Sequence, residues 1–307
     1  MGSLTVGSLL SRFAGKKVLI LERHFQAGGY THAFARKNKK WHWDVGIHYV
    51  GDMQDGGFCR TLMDTITSRA LRWQKMPEPF EKFVYPARTF SLFSGEERFK
   101  NDLCAQFPEE TKAIEQYFQD IKKASALFGK SMMMKGRAPE LRAMGVAADN
   151  RTLFTLKEYL DHFFVSQDLK AILASQWGDY GLPPSRVAFA THAGLAVHYL
   201  NGGYYPDGGA GKILESVLPI LEAAGGSVLT NAQVETILLK DGRACGVRVN
   251  FSREGRSEDF YAPIIVSGAG AMLTYQQLIP ADYPVPFREQ LKDFYERERM
   301  ATSLCVY

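Results

Sequence analysis

GSLTVGSLLSRFAGKKVLILE, residues 2–22, decides the fold. Leu4, Gly7, Leu9, Leu10 and Phe13 recur at helical spacing, and Gly7 lets that helix lie close against a sheet. Ala14-Gly15 ends the helix, Gly15 being suited to a left-handed cap. Val18-Leu19-Ile20-Leu21 is short, apolar and branched, as expected of a parallel strand covered on both faces. It runs into Glu22 and Arg23. Glycine turn, helix, buried strand, acid is the order of the second half of a dinucleotide-binding βαβ unit. The helix start at Gly2-Ser3 offers unpaired N–H groups and a partial positive charge to a pyrophosphate. An acid about 20 residues on accepts hydrogen bonds from a ribose hydroxyl, which is the role expected of Glu22. The plainer alternative is an acid capping a surface strand. A full unit has an apolar strand and a G-x-G ahead of Gly2, and Ser3 falls where the fingerprint's last glycine belongs. The expectation is a piece of a longer chain, cut inside its phosphate loop.

The 307 residues suit about two domains, and 46% hydrophobic with 23% charged residues is the balance of a globular protein, not of a disordered chain. The net charge is a mild +4. Its dense part is Arg36, Lys37, Lys39 and Lys40 between two apolar segments, read as a solvated hairpin turn, with a phosphate or membrane contact as the alternative. No nucleic-acid partner is expected. Cys59, Cys104, Cys245 and Cys305 have no metal-site or disulfide spacing, and no metal is expected. No apolar run reaches the ~18 residues of a membrane helix, and the first residues do not read as a signal peptide. A cytoplasmic or peripheral membrane location follows as the expectation.

ERHFQAGGYTHAF (residues 22–34) and WDVGIHYVGDM (residues 43–53) resemble the retinol saturase, carotenoid isomerase and phytoene desaturase family of FAD-dependent oxidoreductases. The stretch from Gly202 to Val249 and IIVSGAG (residues 264–270) are similar to the same family. The resemblance implies FAD, with NAD(P)H as a candidate electron donor, and a polyene or isoprenoid lipid substrate. It places Gly28-Gly29 beside the pyrophosphate and flavin, and Asp44, Gly46 and the residues to Val50 near the flavin ring. It brings the backbone of Val234 to the adenine. The turn at Ser267 and Ala269, after an expected buried strand Ile264-Ile265-Val266, approaches the cofactor. Independently of the resemblance, the glycines permit close backbone approach and positive φ. For Asp44 a satisfied aspartate in a β-hairpin is the alternative. His48, Tyr49, Tyr204 and Tyr205 fall in segments expected near the ring, with aromatic packing as the alternative, and no catalytic acid–base pair is readable.

The fold expected is α/β: an incomplete FAD/NAD(P)-binding Rossmann-like domain, residues 1–74 and 203–279, with an inserted, mostly helical α+β substrate or cap domain, residues 75–202 and 280–307. In the insert, strands are expected at Phe83–Tyr85 and Thr89–Phe93, and a helix through Ile114, Tyr117, Phe118 and Ile121. Met132, Met133, Met134 and Met144 could line a lipid tunnel, touch a membrane or fill a core. The function expected is reduction of a C=C bond in a conjugated isoprenoid. The alternatives are an isomerase or desaturase on the same scaffold, and a non-catalytic fragment unable to hold FAD.

Overall fold

In this computed structural model, which describes residues 1–133 and 154–297, the first helix stops where glycine lets it. Gly15 adopts φ 57°, ψ 29°, and Lys16 N–H reaches back to the Leu10 carbonyl at 3.1 Å. The elements run α1 (Gly2–Ala14), β1 (Leu19–Leu21), β2 (Ala33–Arg36), β3 (Trp41–Asp44), α2 (Phe58–Ile66) and β4 (Trp73–Lys75). Next come β5 (Glu81–Val84), β6 (Thr89–Leu92), α3 (Glu96–Gln106), α4 (Thr111–Met133), α5 (Leu156–Phe163), α6 (Gln167–Ala174) and α7 (Phe189–Tyr199). The chain then forms β7 (Tyr204–Pro206), α8 (Gly211–Ala223), β8 (Ser227–Leu229), β9 (Gln233–Lys240), β10 (Arg243–Phe251), β11 (Arg256–Tyr261) and α9 (Arg288–Arg297).

The described residues pack as two units. One holds Met1–His48, Arg60–Gln74 and the chain from Tyr205 on; the other holds Tyr49–Cys59 and Lys75–Tyr204. The sequence reading assigns 49–59 to the first part and 280–307 to the second. In the structure 49–59 packs with the second unit, and the described residues from 280 on pack with the first.

In the first unit β1 and β8 pair in parallel, Leu19 with Ser227 and Leu21 with Leu229. Helices α1 and α8 cover this pair. Leu4, Ile20, Val217 and Leu221 form a buried cluster, each worth about 1.5–3 kcal/mol on leaving water. Gly7 lets α1 come close: a Cβ there would lie 3.1 Å from Ile20 Cδ1 and 3.2 Å from Leu221 Cδ2. Burial is less complete than the apolar run predicts, because Leu19 remains 38% exposed. Beyond β8 the chain makes an antiparallel meander β9–β10–β11 over Ile237, Val247, Val249 and Phe251. Its first turn, Asp241-Gly242, has positive φ at both residues (51° and 73°), as a tight hairpin requires.

One strand reading is overturned. Ile264–Val266 joins no ladder, and Ile264 and Val266 are 56% and 51% exposed. Their apolar run has the composition of a buried strand, but among the described residues no strand pairs with it.

The second unit is mainly helical. Along α4, Ile114, Tyr117, Phe118 and Ile121 are at most 1% exposed, at the helical spacing predicted for them, and α4 packs on α7. The β5–β6 hairpin adds Phe90 and Leu92 to the same core. Helix α5 starts with a capping box, Thr155 with Glu158, and carries Tyr159 onto Phe189 in a near-parallel stack at 3.8 Å. The reading of the methionine-rich stretch rests on side chains from residue 132 on, which lie outside those described.

Candidate functional site

The first unit gathers most of the expected site residues at the carboxyl ends of β1 and β8. Helix α1 begins at Gly2, and the N–H groups of its first turn have no partner within the helix. Two glycine-bearing segments adjoin that terminus. Gly28 and Gly29 have φ 120° and 58°, conformations that a side chain at Gly28 would strain. Thr31 ties this turn closed by donating to the Gly28 carbonyl at 2.9 Å, and contacts Met1 Sδ at 3.5 Å. The 267–270 turn also approaches α1: a Cβ on Gly268 would sit 2.1 Å from Ser3 Oγ. Ser267 Oγ bonds Thr274 Oγ1 at 2.6 Å and accepts from Ala269 N–H at 3.4 Å, which shapes an exposed turn.

Glu22 stands just past β1. Its amide donates to the Leu229 carbonyl at 2.8 Å, and its carboxylate accepts from His24 N–H at 2.9 Å. Arg23 is exposed beside it. Ala232 N–H donates to the Glu22 carbonyl at 2.9 Å and Asn231 N–H to that of His24 at 2.9 Å. These bonds bring the start of β9 next to Glu22. Val234 there is half-buried and pairs with Val249, so its side chain serves the core while its backbone lies close to the strand end.

Asp44 ends β3 and is firmly partnered. Tyr205 Oη donates to one oxygen, and Ala210 N–H, at the start of α8, donates to the other at 3.3 Å. Burial pushes the Asp44 carboxyl above its ordinary range, and the Ala210 bond works in the opposite direction. Its visible role is to fasten the β2–β3 hairpin to α8, the satisfied-aspartate alternative. Gly46 closes the same hairpin base; a Cβ would meet Tyr30, immediately after the glycine pair, at 3.0 Å. Tyr205 is accounted for by Asp44, and His48 is exposed in the first unit.

Tyr49 and Tyr204 belong to the second unit. Tyr49 packs edge-on against Phe80 and Tyr199, and burial first, then Glu81, drives its hydroxyl strongly toward the protonated form. Sequence reasoning missed the polar groups of this unit. His192 is buried in the aromatic core, its Nε2 2.8 Å from Tyr117 Oη and its Nδ1 3.4 Å from Tyr180 Oη, and burial pushes its pKa down to about 4. Near the surface, His198 Nε2 accepts from Gly51 N–H at 2.9 Å, while Asp52 accepts from Cys59 N–H at 3.0 Å. Burial, then Asp52, raises the Cys59 thiol to about 11, which leaves it protonated and weakly nucleophilic. Single histidines on α7, in FATHAGLAVHY, carry no spacing signal that could have announced either contact.

The first N–H groups of α1, the glycine cradle and the Glu22 carboxylate form a donor and acceptor set that fits a dinucleotide: donors for a pyrophosphate, an acceptor for ribose hydroxyls. Among the described residues no cluster of His, Cys, Asp or Glu could hold a metal, and no helix is long and apolar enough to cross a membrane.

No protein-family model matches the chain. All-trans-retinol 13,14-reductase of Homo sapiens is 34% identical over 295 residues, which are 92% of this chain and 48% of that protein. Prolycopene isomerase 1, chloroplastic, of an Oncidium hybrid cultivar is 23% identical over 295 residues, 92% of this chain and 49% of that protein. The chain thus spans about half the length of the curated relatives it matches. Among solved structures, an oxidoreductase from Methanosarcina mazei superposes with a TM-score of 0.63 at 17% identity, over 96% of this chain and 62% of that one, a likeness of fold.

Proposed function

From the premise that this chain is a sequence relative of the retinol saturase and carotenoid isomerase family, we propose that it forms the FAD-binding and substrate-facing part of a flavin-dependent reductase of conjugated isoprenoid lipids. The observation that carries the reading is the α1 N-terminus flanked by Gly28-Gly29 and Gly268 at the carboxyl ends of a parallel strand pair, with Glu22 at the strand end. In this reading the first unit is a Rossmann-like domain and the second a substrate domain.

The residues divide the work. The N–H groups at Gly2 and Ser3 and the positive end of α1 hold the pyrophosphate, and Glu22, with Arg23 beside it, holds the ribose. Gly28, Gly29, Ser267 and Ala269 supply backbone without bulk, and the backbone at Val234 borders the adenine. Asp44 and Gly46 set the hairpin base that faces the ring. FAD, if bound there, would supply hydride chemistry for saturating a C=C bond, with the electrons drawn from a donor such as NAD(P)H. The protein's share is to orient the polyene and exclude water. A proton for the neighbouring carbon comes from water or an acid.

The test is to purify the protein, record its visible spectrum, and incubate it anaerobically with all-trans-retinol and a chemical reductant. Stoichiometric flavin bands and a saturated 13,14-dihydroretinol product are the expected results. Flavin with geometric isomerisation, and no net use of reductant, would assign the isomerase reading, which the similarity to prolycopene isomerase supports. A colourless protein that stays colourless after FAD addition would refute cofactor binding.

A further inference from the structure

The basic run absorbed into none of this lies at the tip of the β2–β3 hairpin, and we propose that this tip docks the protein on an anionic lipid surface. Residues 23–43 contain no Asp or Glu but hold Arg23, Arg36, Lys37, Lys39 and Lys40. The last four crowd the hairpin end, and all are exposed. Among the described residues none of the four has an acidic partner in an ion pair. The chain has 37 Lys and Arg against 33 Asp and Glu, so these four residues equal its entire net charge of +4. The remainder of the molecule is balanced. A nucleic-acid groove spreads its cations along a track of phosphates; here the charge is a point.

Backbone geometry keeps the point in place. Lys37, Asn38 and Lys39 all adopt left-handed φ (47°, 54° and 66°), and Lys40 N–H closes the turn on the Lys37 carbonyl at 3.1 Å. The strand register adds an apolar component. Arg36 pairs across with Trp41 and Phe34 with Trp43, so these four side chains share one face of the ribbon. Trp41, nearest the tip, is 49% exposed, with Lys40 Nζ 5.5 Å from its ring centre, while Arg36 lies 4.6 Å from the Phe34 ring. An indole beside lysines is the combination that settles at a membrane–water boundary, the ring among headgroups and the ammonium groups against lipid phosphates. Phosphatidylserine-type lipids complement the charge, each cation near such a surface strengthening binding roughly fivefold. This inference stands on the hairpin alone and does not depend on the flavin reading.

The experiment is vesicle co-sedimentation of the whole protein with phosphatidylcholine vesicles, with and without about 30 mol% phosphatidylserine. Parent protein is expected to partition into the anionic vesicles only, and to release as salt rises from about 0.1 to about 0.5 M, where the screening length shrinks well below its low-salt value. Lys37→Gln with Lys39→Gln should weaken partition roughly 25-fold. Lys16→Gln with Lys17→Gln, an exposed basic pair elsewhere in the first unit, is the control and should leave partition unchanged. Equal binding to neutral vesicles, salt-independent binding, or equal losses from both lysine pairs would overturn the proposal. So would binding of single-stranded RNA in place of vesicles. If the hairpin variant does not fold, the lipid and salt arms on the parent protein still decide the matter.

Discussion

Adjacent glycines at the turn from α8 into β8 should respond very differently to the same methyl group. Gly225 has φ 75°, and a Cβ there would meet nothing nearer than Lys17 Cδ at 3.8 Å. Its cost is conformational: an alanine in left-handed backbone loses about 1–2 kcal/mol, offset in part by the about 0.4–1 kcal/mol gained from restricting the unfolded chain. The net is roughly 1 kcal/mol. Gly226 lies outside the left-handed region, yet its Cβ would fall 2.4 Å from the Val18 carbonyl oxygen and 3.0 Å from that of Leu221. Backbone atoms cannot rotate aside as a side chain can. The strand must move, which takes the upper part of the about 1–3 kcal/mol range for overpacking. The Ser227 N–H to Val18 carbonyl bond, 3.0 Å long, is strained as well, for about 1 kcal/mol more. Gly226→Ala should therefore cost roughly 3–4 kcal/mol, several times the cost of Gly225→Ala. With two units in the chain a single unfolding curve is ambiguous, so the assay is amide hydrogen exchange at Leu19–Leu21 under native conditions. The reasoning is refuted if protection there falls no further in Gly226→Ala than in Gly225→Ala.

Three further outcomes are expected. In flavin-loaded protein, Glu22→Ala should weaken FAD binding by roughly 1–3 kcal/mol, the cost of lost hydrogen bonds to a charged group; an unchanged affinity by fluorescence titration would strip Glu22 of the ribose role. Tyr159→Phe keeps the stack on Phe189 but removes the 2.8 Å bond from Tyr159 Oη to Asp120, so the second unit should lose about 1.5–3 kcal/mol by urea titration, and a neutral result would contradict the bond. His192 is held neutral in the fold down to about pH 4, whereas the unfolded chain takes up the proton near 6.5, so the unfolded state binds more protons between those values. Stability from this group is complete above pH 6.5 and fades toward pH 4, by an amount of order 3 kcal/mol, and His192→Phe should flatten that slope in pH-dependent unfolding.

The parts of the fold legible in the sequence were those governed by local chemistry. Gly15 stops a helix, Asp241-Gly242 turns a hairpin, and the Ile114–Ile121 stripe buries a face, because each signal acts within a few residues. The unread elements take their stability from farther away. In helix α2 Cys59 N–H donates to the carboxylate of Asp52, which sits upstream in left-handed backbone at φ 55°, an arrangement no N-cap pattern describes. Helix α7, FATHAGLAVHY, mixes apolar, aromatic and histidine side chains without a clear stripe, so periodicity is mute until Phe189, His192 and Ala193 are seen buried. Ile264–Val266 failed in the opposite sense, since an apolar run states an appetite for pairing and does not name the strand it would pair with. At the candidate site, Glu22 and the glycines were readable from backbone demands, while the Asp44 partners Tyr205 and Ala210 lie more than 160 positions away.

The pairing of β1 with β8 also has a consequence in time. Leu19 meets Ser227 about 200 positions later in the chain, and at about 5–20 residues per second roughly 10–40 s of synthesis separate the two strands. Until β8 emerges, β1 has its ladder edge bare, and Leu4 and Ile20 lack Val217 and Leu221. The second unit's long segment, Lys75–Tyr204, is contiguous and can condense while this interval runs. The earlier strand of this pair thus waits for the later one before its ladder is complete. The growing chain on the ribosome is the stage at which this protein should depend most on chaperones, and slowing elongation should lower its soluble yield more than destabilising the helical unit does.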